Sequence, residues 1–405
     1  MKIKKPELVS PAGDWSALLS AVEAGADAVY FGIKEINMRY QAVNFDILEL
    51  KKIMARLRKE GRRGYLALNV LVYDKEIPRV EKILKAAKRA GVDAVIGWDM
   101  AVLSIAKEQG LKVHLSTQAS VSNFSALSFY AGLGIKRVVL ARECGLSDIR
   151  EITLKVKREK LDCNVEAFVH GAMCVSISGR CFLSYDSFGK SANRGECLQP
   201  CRREYDIIDS DKECGYVVGK DYILSAKDLC AISFIDELIE AGIDAFKIEG
   251  RMRQPEYVKV ATSCYRRAID AYYEEKLTAK LKKELTKKLK AVYHRGFSDG
   301  FYFKKPSSSG GKVQRGYDKV YLGEVKRFFG KIGVAEVIIR SGVLKKNDEI
   351  LISGVKTPAN FFKAVEMEMN HKAVEKAGKG EMVGIKAPFR VRPKDKVFIW
   401  KKRKY

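Results

Sequence analysis

The chain has no apolar run approaching the about 18 residues needed to cross a bilayer. Its N-terminus, MKIKKPELVSPAGD, holds no apolar stretch long enough for a secretory signal. The expectation is a soluble, cytoplasmic protein with no membrane partner. Several catalytic signatures are missing too. No G-x-G-x-x-G follows the first strand, which argues against a dinucleotide fold. There is no H-E-x-x-H, no G-x-S-x-G and no recognisable Cys/His/Asn set, so neither a metal-bound water nor an activated nucleophile is announced. Histidine is scarce, 4 residues in 405; with abundant Lys and Glu this fits a heat-adapted proteome.

What is present begins with charge. Lys and Arg number 75 against 50 Asp and Glu, a formal +25. Heat adaptation explains the lysines but not the imbalance, and a basic protein of this kind typically meets a polyanion. The 47% hydrophobic content is ample for a core and excludes global disorder.

Short apolar strands alternate with amphipathic helices over the first 300 or so residues. Residues 14–23 read as a helix capped by Asp14, and 46–60 and 77–90 carry the helical 3.6-residue stripe. A weak repeat recurs as AGADAVYFG (24–32), AGVDAVIGWD (90–99), LGIKRVVLARE (133–143) and AGIDAFKIEGR (241–251). In each, a helix ends at Gly, the chain turns, and a buried strand follows. About eight such units predict a (β/α)8 TIM-type barrel over residues 1–305. Functional groups of such barrels sit at the C-terminal strand ends. The polar residues expected there are Asn69, Thr117, Gln118, Arg142, Glu143, His170, Lys227, Asp228, Lys247, Glu249 and Arg251. So many charges on one rim suggest an anion-accepting pocket. Residues 255–276 and 280–293 read as further helices, the second with a basic face.

A linker-like KKPSSSGGK at 304–312 precedes a change of period. Residues 320–325, 331–339, 348–353, 363–369, 381–385 and 396–400 alternate apolar and polar residues, predicting a small closed β-barrel over 306–405. From 312 onward, 23 basic residues face 10 acidic ones, about half the excess charge in less than a quarter of the chain. The KKRKY tail, with Phe398 and Trp400 before it, has the basic and aromatic texture used for RNA contacts.

Nine cysteines in a cytoplasmic chain do not read as a disulfide framework. Cys144, Cys163, Cys214 and Cys264 are scattered and read as small core or surface residues. Cys174, Cys181, Cys197 and Cys201 lie together at a C-x6-C-x15-C-x3-C spacing within an inserted region of about 166–230. Zinc sites pair cysteines more tightly at both ends, and long Gly-punctuated intervals suit a wrapped iron–sulfur cluster better. Cys230 is a fifth candidate, expected on the same rim after a strand at 222–225. Four ligands drawn from five thiols is the reading. His170 precedes Cys174 by four residues, but no third group completes a nucleophilic triad.

Glu166, Phe168, Gly171, Ala172, Met173, Cys174, Gly179, Cys181, Leu183 and Ser184 match E-x-F-x-x-G-[SA]-[LIVM]-C-x4-G-x-C-x-[LIVM]-S without departure. With ELVSPAGD (7–14), LSTQASVSN (115–123), QPCRREY (199–205) and KIEGRMR (247–253), the sequence resembles the collagenase-like peptidase family thirty-two of unassigned mechanism. YLGEV (321–325) and KNDEI (346–350) resemble domain two of translation elongation factors and point to the subgroup with prephenate-dependent tRNA uridine hydroxylation proteins. The resemblance implies either a peptidase or an RNA hydroxylase using a [4Fe–4S] cluster, with a ubiquinone precursor or another RNA as further substrates. By that resemblance Cys174, Cys181, Cys197 and Cys230 are the cluster ligands, with Cys201 in reserve. The absent hydrolytic motifs and the basic surface favour tRNA wobble-uridine hydroxylation with prephenate as hydroxyl source. On that reading Asn69, Gln118, Arg142, Lys247 and Arg251 bind substrate or a small dicarboxylate, Glu143, His170 and Glu249 transfer protons, and the basic C-terminal barrel docks tRNA.

Overall fold

Alternation inside eight short strands decides the architecture. In the computed structural model, which describes residues 4–202, 226–303 and 316–403 and the backbone of strands Asp206–Ile208 and Gly215–Val217, these strands close a parallel barrel. They are β1 (Glu7–Ala12), β2 (Ala28–Phe31), β3 (Arg63–Ala67), β4 (Ala94–Gly97), β5 (Val113–Leu115), β6 (Arg137–Val139), β7 (Asn164–Gly171) and β8 (Ala245–Ile248). Closure comes from β8, which pairs with β1 (Glu7 opposite Ala245) and with β7 (Glu166 opposite Ala245). Outward residues such as Leu8, Val29, Leu66, Val95, Val138 and Phe246 pack under the helices as one apolar cluster. Inward residues Val9, Ala28, Tyr30, Tyr65, Ala94, Ile96 and Ala245 form a second cluster in the lumen. Below the mouth the lumen is ionic: Arg137 bonds Glu7 and reaches Glu166 at 3.1 Å, and Lys247 Nζ meets Glu166 Oε1 at 2.7 Å.

The repeat has a physical reason. Its glycines close helices in the left-handed region, Gly91 at φ +71 after helix Ile77–Ala90. The aspartate two residues on accepts a backbone N–H from the neighbouring strand: Asp27 from Leu8, Asp93 from Gly64 and Asp244 from Val165, each at 2.8 Å. These contacts lie at the N-terminal ends of strands, where such residues serve stability. Asp14 caps helix Trp15–Glu23 by accepting from Ala17 N–H at 2.7 Å, as expected. The helix expected at 46–60 is a 3-10 turn, Ile47–Glu49, followed by helix Leu50–Lys59. No helix among the described residues is long and apolar enough to cross a membrane.

The C-terminal region is antiparallel. Eight strands pair in the order Thr357–Lys363, Glu349–Gly354, Lys396–Lys402, Tyr317–Phe329, Val334–Ile339, Met382–Lys386, Met367–Met369 and Lys372–Ala373, beside a ribbon of Val343–Lys345 and Lys376–Gly378. The single strand expected at 363–369 is two strands, and Thr357–Lys363 was not anticipated. Pro358 hides it in the sequence but is tolerated because this strand lies at the sheet edge. That edge is covered: Ala359 N–H donates to Ser20 Oγ at 2.9 Å, and Ser16 Oγ donates to the Thr357 carbonyl at 3.4 Å. Leu351, Ala359 and Trp400 join the apolar cluster of the parallel barrel, and Lys319 pairs with Glu256 at 3.0 Å. Trp400, 8% exposed and stacked on Tyr317, therefore belongs to the contact between the two regions and is not presented to a ligand. The expected linker at 304–312, Cys214 and the expected strand at 222–225 lie outside the described residues.

Replacing Asp244 by Ala leaves the Val165 N–H without its acceptor, so a loss of about 1–3 kcal/mol is expected. Equilibrium denaturant unfolding measures it; an unchanged midpoint would show that the repeat aspartates do not hold the strands.

Candidate functional site

The C-terminal strand ends surround a cavity of about 260 Å³, roofed by parts of residues 172–202. The roof leaves β7 and is tied to the rim at many points. Arg194 forks onto Glu76 and the Leu71 carbonyl and stands over the Tyr73 ring at 4.9 Å. Arg180 donates to Ser120 Oγ at 2.8 Å and stands over Trp98 at 5.7 Å. Tyr40 N–H donates to the Gly195 carbonyl at 3.2 Å. Gly195 itself has φ +82, and a Cβ there would meet the Asn37 carbonyl at 2.1 Å, so only glycine lets roof and rim approach. Glu143 accepts from the Ser178 N–H at 2.9 Å and fixes the turn between Cys174 and Cys181.

One wall is cationic. Arg39, Arg142, Arg202, Lys247, Arg251 and Arg253 line the cavity, and Glu249 is the only carboxylate among its described lining residues. Arg39 Nε and Nη2 donate to Glu249 Oε1 at 3.1 and 3.0 Å; Arg142 Nη2 lies 3.6 Å from Oε2. Burial alone would raise the Glu249 carboxyl, but Arg39, Arg142 and Arg251 outweigh it and hold it at about 2. Glu249 is thus ionised at neutral pH and is an anchor for arginines, a poor proton acceptor. Arg251, 4% exposed, bonds Asn37 Oδ1 through Nη1 at 3.1 Å; its Nε has no hydrogen-bond partner among the described residues. Burial draws its pKa down to about 10. A guanidinium so placed suits an incoming carboxylate. Opposite, Asn69 Nδ2 donates to Gln118 Oε1 at 3.3 Å, joining the ends of β3 and β5 through an amide pair.

The same cavity carries sulfur. Cys174, Cys181, Cys197 and Cys201 all line the cavity. Leu183 N–H points at Cys181 Sγ and Gln199 N–H at Cys197 Sγ, both at 3.3 Å, and Ser176 Oγ lies 3.0 Å from Cys174 Sγ. Donors aimed at sulfur favour thiolates. Burial still pushes Cys201 up to about 11 and raises Cys197, with the neighbouring sulfurs of Cys174 and Cys181 adding to both shifts. None of the eight described cysteines forms a disulfide. Among the described residues no three His, Cys, Asp or Glu side chains are grouped so as to hold a metal ion.

The structure gathers Asn69, Gln118, Arg142, Lys247, Glu249 and Arg251 with the four roof thiols around this one cavity. Five expected residues stand elsewhere, among them Lys227 and Asp228, the latter buried and 3.7 Å from Arg253. His170 packs behind β7 between Tyr257, Tyr265 and Phe297, and burial, aided by Arg253 and His294, pulls it to about 3. Cys230 sits on a short strand, Asp228–Cys230, antiparallel to the end of β7; it is buried, lies near Tyr265 Oη at 4.0 Å, and is pushed up to about 11 by burial. Glu143 serves the roof turn and does not line the cavity. Arg39, Arg202 and Arg253 were missed. Arg39 follows β2 in an irregular loop, where only its place after a barrel strand could have pointed to it.

Glu249→Gln leaves the buried Arg251 and the partly buried Arg39 and Arg142 around a neutral amide, and a loss of about 3–5 kcal/mol is expected in thermal or denaturant unfolding. Because the folded carboxyl is depressed, its contribution is complete above the ordinary carboxylate range near 4.5 and is lost as pH falls through about 2. The parent should therefore lose stability relative to the variant over that acid window; parallel pH profiles would contradict the assignment.

Residues 13–312 match the profile of Peptidase family U32. The chain is 43% identical to an uncharacterized protease of Methanocaldococcus jannaschii, over 98% of each chain. It is 38% identical to a collagenase of Porphyromonas gingivalis, over 100% of each. It is also 37% identical to tRNA hydroxylation protein P1 of Bacillus subtilis, over 79% of this chain and 74% of that protein. With its barrel, its roof of thiols and three-quarters of its length within one profile, the chain belongs to peptidase family U32.

Proposed function

We propose that this protein is an RNA-modifying enzyme that hydroxylates a uridine of tRNA. The observation that carries the reading is a single chamber lined by four thiols and by six cations against one carboxylate. A relative named for tRNA hydroxylation, similar over most of both chains, supports it.

The fit to an iron–sulfur cluster rests on the donor set. A single zinc ion at 2.3 Å from each sulfur needs thiols within about 4 Å of one another. A four-iron cluster places each thiolate on a different iron and spreads them wider. Four thiols from one Gly-bearing segment, with N–H groups aimed at two of them, suit the second case. Cys174, Cys181, Cys197 and Cys201 would hold the cluster; Cys230, with Tyr265 behind the end of β7, would not. When bound, the cluster supplies redox chemistry that no side chain here offers.

The chain's own residues bind and orient. Arg251, with Arg39 and Arg142 fixed on Glu249, would receive the carboxylates of a small acid such as prephenate. Asn69 and Gln118 present amides of the kind that read base edges. The basic C-terminal sheet would meet the RNA backbone in a salt-dependent way.

Relatives named protease and collagenase keep hydrolysis in view. The chamber argues against a thiol–imidazole pair. Of the four histidines, His114 lies in the lumen against Tyr65, His170 and His294 pack with Phe297, and His371 is in the C-terminal sheet region. None lines the cavity. Lys247 is committed to Glu166.

Nucleoside mass spectrometry on fractionated RNA from a strain lacking the protein tests the function. Hydroxylated uridine should vanish from tRNA and return with the parent gene, but return at a tenth or less with Arg251→Ala. Persistence of the nucleoside in the deletion strain would refute the tRNA reading. Loss confined to ribosomal RNA or to a quinone pool would move the activity to those substrates.

A further inference from the structure

The roof turns an apolar face outward. Phe182 is 74% exposed, Ile177 67%, Tyr185 56% and Leu198 46%. Phe182 and Tyr185 are three residues apart at the start of helix Leu183–Phe188, so their rings share a side. Leu198 is tied to the same helix by its N–H, which donates to Ser184 Oγ at 3.0 Å. One apolar side chain in water needs no explanation, but four on one short segment mark a contact surface.

Two observations identify what the surface takes. First, it runs into the chamber. Leu183 follows Phe182, is 36% exposed, and also lines the cavity beside Cys181. A ligand resting on the rings therefore has its next group at a mouth walled by six cations and one carboxylate. Second, the rim beside it carries aromatic rings already paired with arginines of the roof, Tyr73 with Arg194 and Trp98 with Arg180. Flat rings and guanidinium planes among positive charges are what unpaired nucleotides stack on, since every base offers a π-face and every linkage a negative charge. A base held in a duplex cannot enter a roofed cavity of about 260 Å³, so the target must be unpaired or turned out.

We propose that Phe182 and Tyr185, with Ile177 and Leu198 at their border, form a stacking platform for unpaired RNA nucleotides next to the one that enters the cavity. This deepens the RNA-modification reading and rests on it. The platform sets which RNA is used: a loop or single-stranded segment, not a helix. The basic C-terminal sheet contributes affinity without that selectivity.

The test uses the full-length protein and the variants Phe182→Ala, Tyr185→Ala and the pair. Both side chains are exposed, so the melting temperature should match the parent's and confirms folding. Binding is titrated with a fluorescein-labelled oligouridylate and with an RNA duplex of the same length at fixed salt. Each substitution should weaken oligouridylate binding about tenfold, the pair more, while duplex binding stays within twofold. Equal affinity of parent and double variant for oligouridylate overturns the proposal. So does an equal loss for both probes, which would mean a general electrostatic effect. So does unchanged RNA binding with loss of a protein partner from the double variant. The deletion-strain nucleosides test the RNA-modification reading separately: their failure with a ring-dependent titration would remove the reaction and leave the platform standing.

Discussion

One buried carboxylate holds the mouth of this barrel together. Glu249 follows β8 and gathers Arg39 from beyond β2 and Arg142 from beyond β6, with Arg251 two residues along its own chain. Three guanidinium groups cannot be desolvated side by side without a counter-charge. The one present is shared among them, and the Arg251 Nε is unsatisfied among the described residues. The site is built short of negative charge. The ionic layer beneath, Glu7–Arg137–Glu166–Lys247, pairs each carboxylate with a cation and keeps the lumen polar.

The roof depends on that frame. Its arginines reach outward to Glu76, Ser120 and Trp98, and the barrel's Arg142 reaches inward to the Ala172 carbonyl at 2.5 Å. Arg142 therefore belongs to both parts, paired with Glu249 and bonded to the segment that carries the thiols. One side chain thus links the thiol-bearing roof to the buried carboxylate. A hydrolase would instead need a base beside its nucleophile, and no histidine lines the cavity. The C-terminal sheet is fastened through its covered edge strand, so its basic surface holds a fixed place beside the barrel.

The barrel was legible because short buried strands and Gly-ended helices repeat, and the repeat aspartates prove to have a stitching role the spacing did not reveal. Rim residues were legible from their place after strands, which is why Asn69, Gln118, Arg142, Lys247, Glu249 and Arg251 meet. That rule gives position along the chain but not the side of the strand. His170 ends β7 as expected, yet points away from the mouth into a cluster of aromatic rings. Cys230 is near in sequence to the roof but pairs with β7 from behind. Arg39 and the edge strand Thr357–Lys363 were hidden for opposite reasons, one in a loop without period, the other behind a proline. Trp400 looked like an RNA contact by its neighbours and is part of the join between the two regions, a matter of tertiary packing that local composition does not encode.

The central claim is that the four roof thiols and the guanidinium wall make one redox chamber. It is tested most directly by iron and acid-labile sulfide content, with absorbance at about 400 nm, of anaerobically purified parent, Cys201→Ser and Cys230→Ser proteins. The account predicts about four irons in the parent, a colourless or iron-poor Cys201→Ser, and a Cys230→Ser indistinguishable from the parent. A parent without iron, or a cluster lost from Cys230→Ser and kept in Cys201→Ser, would contradict it.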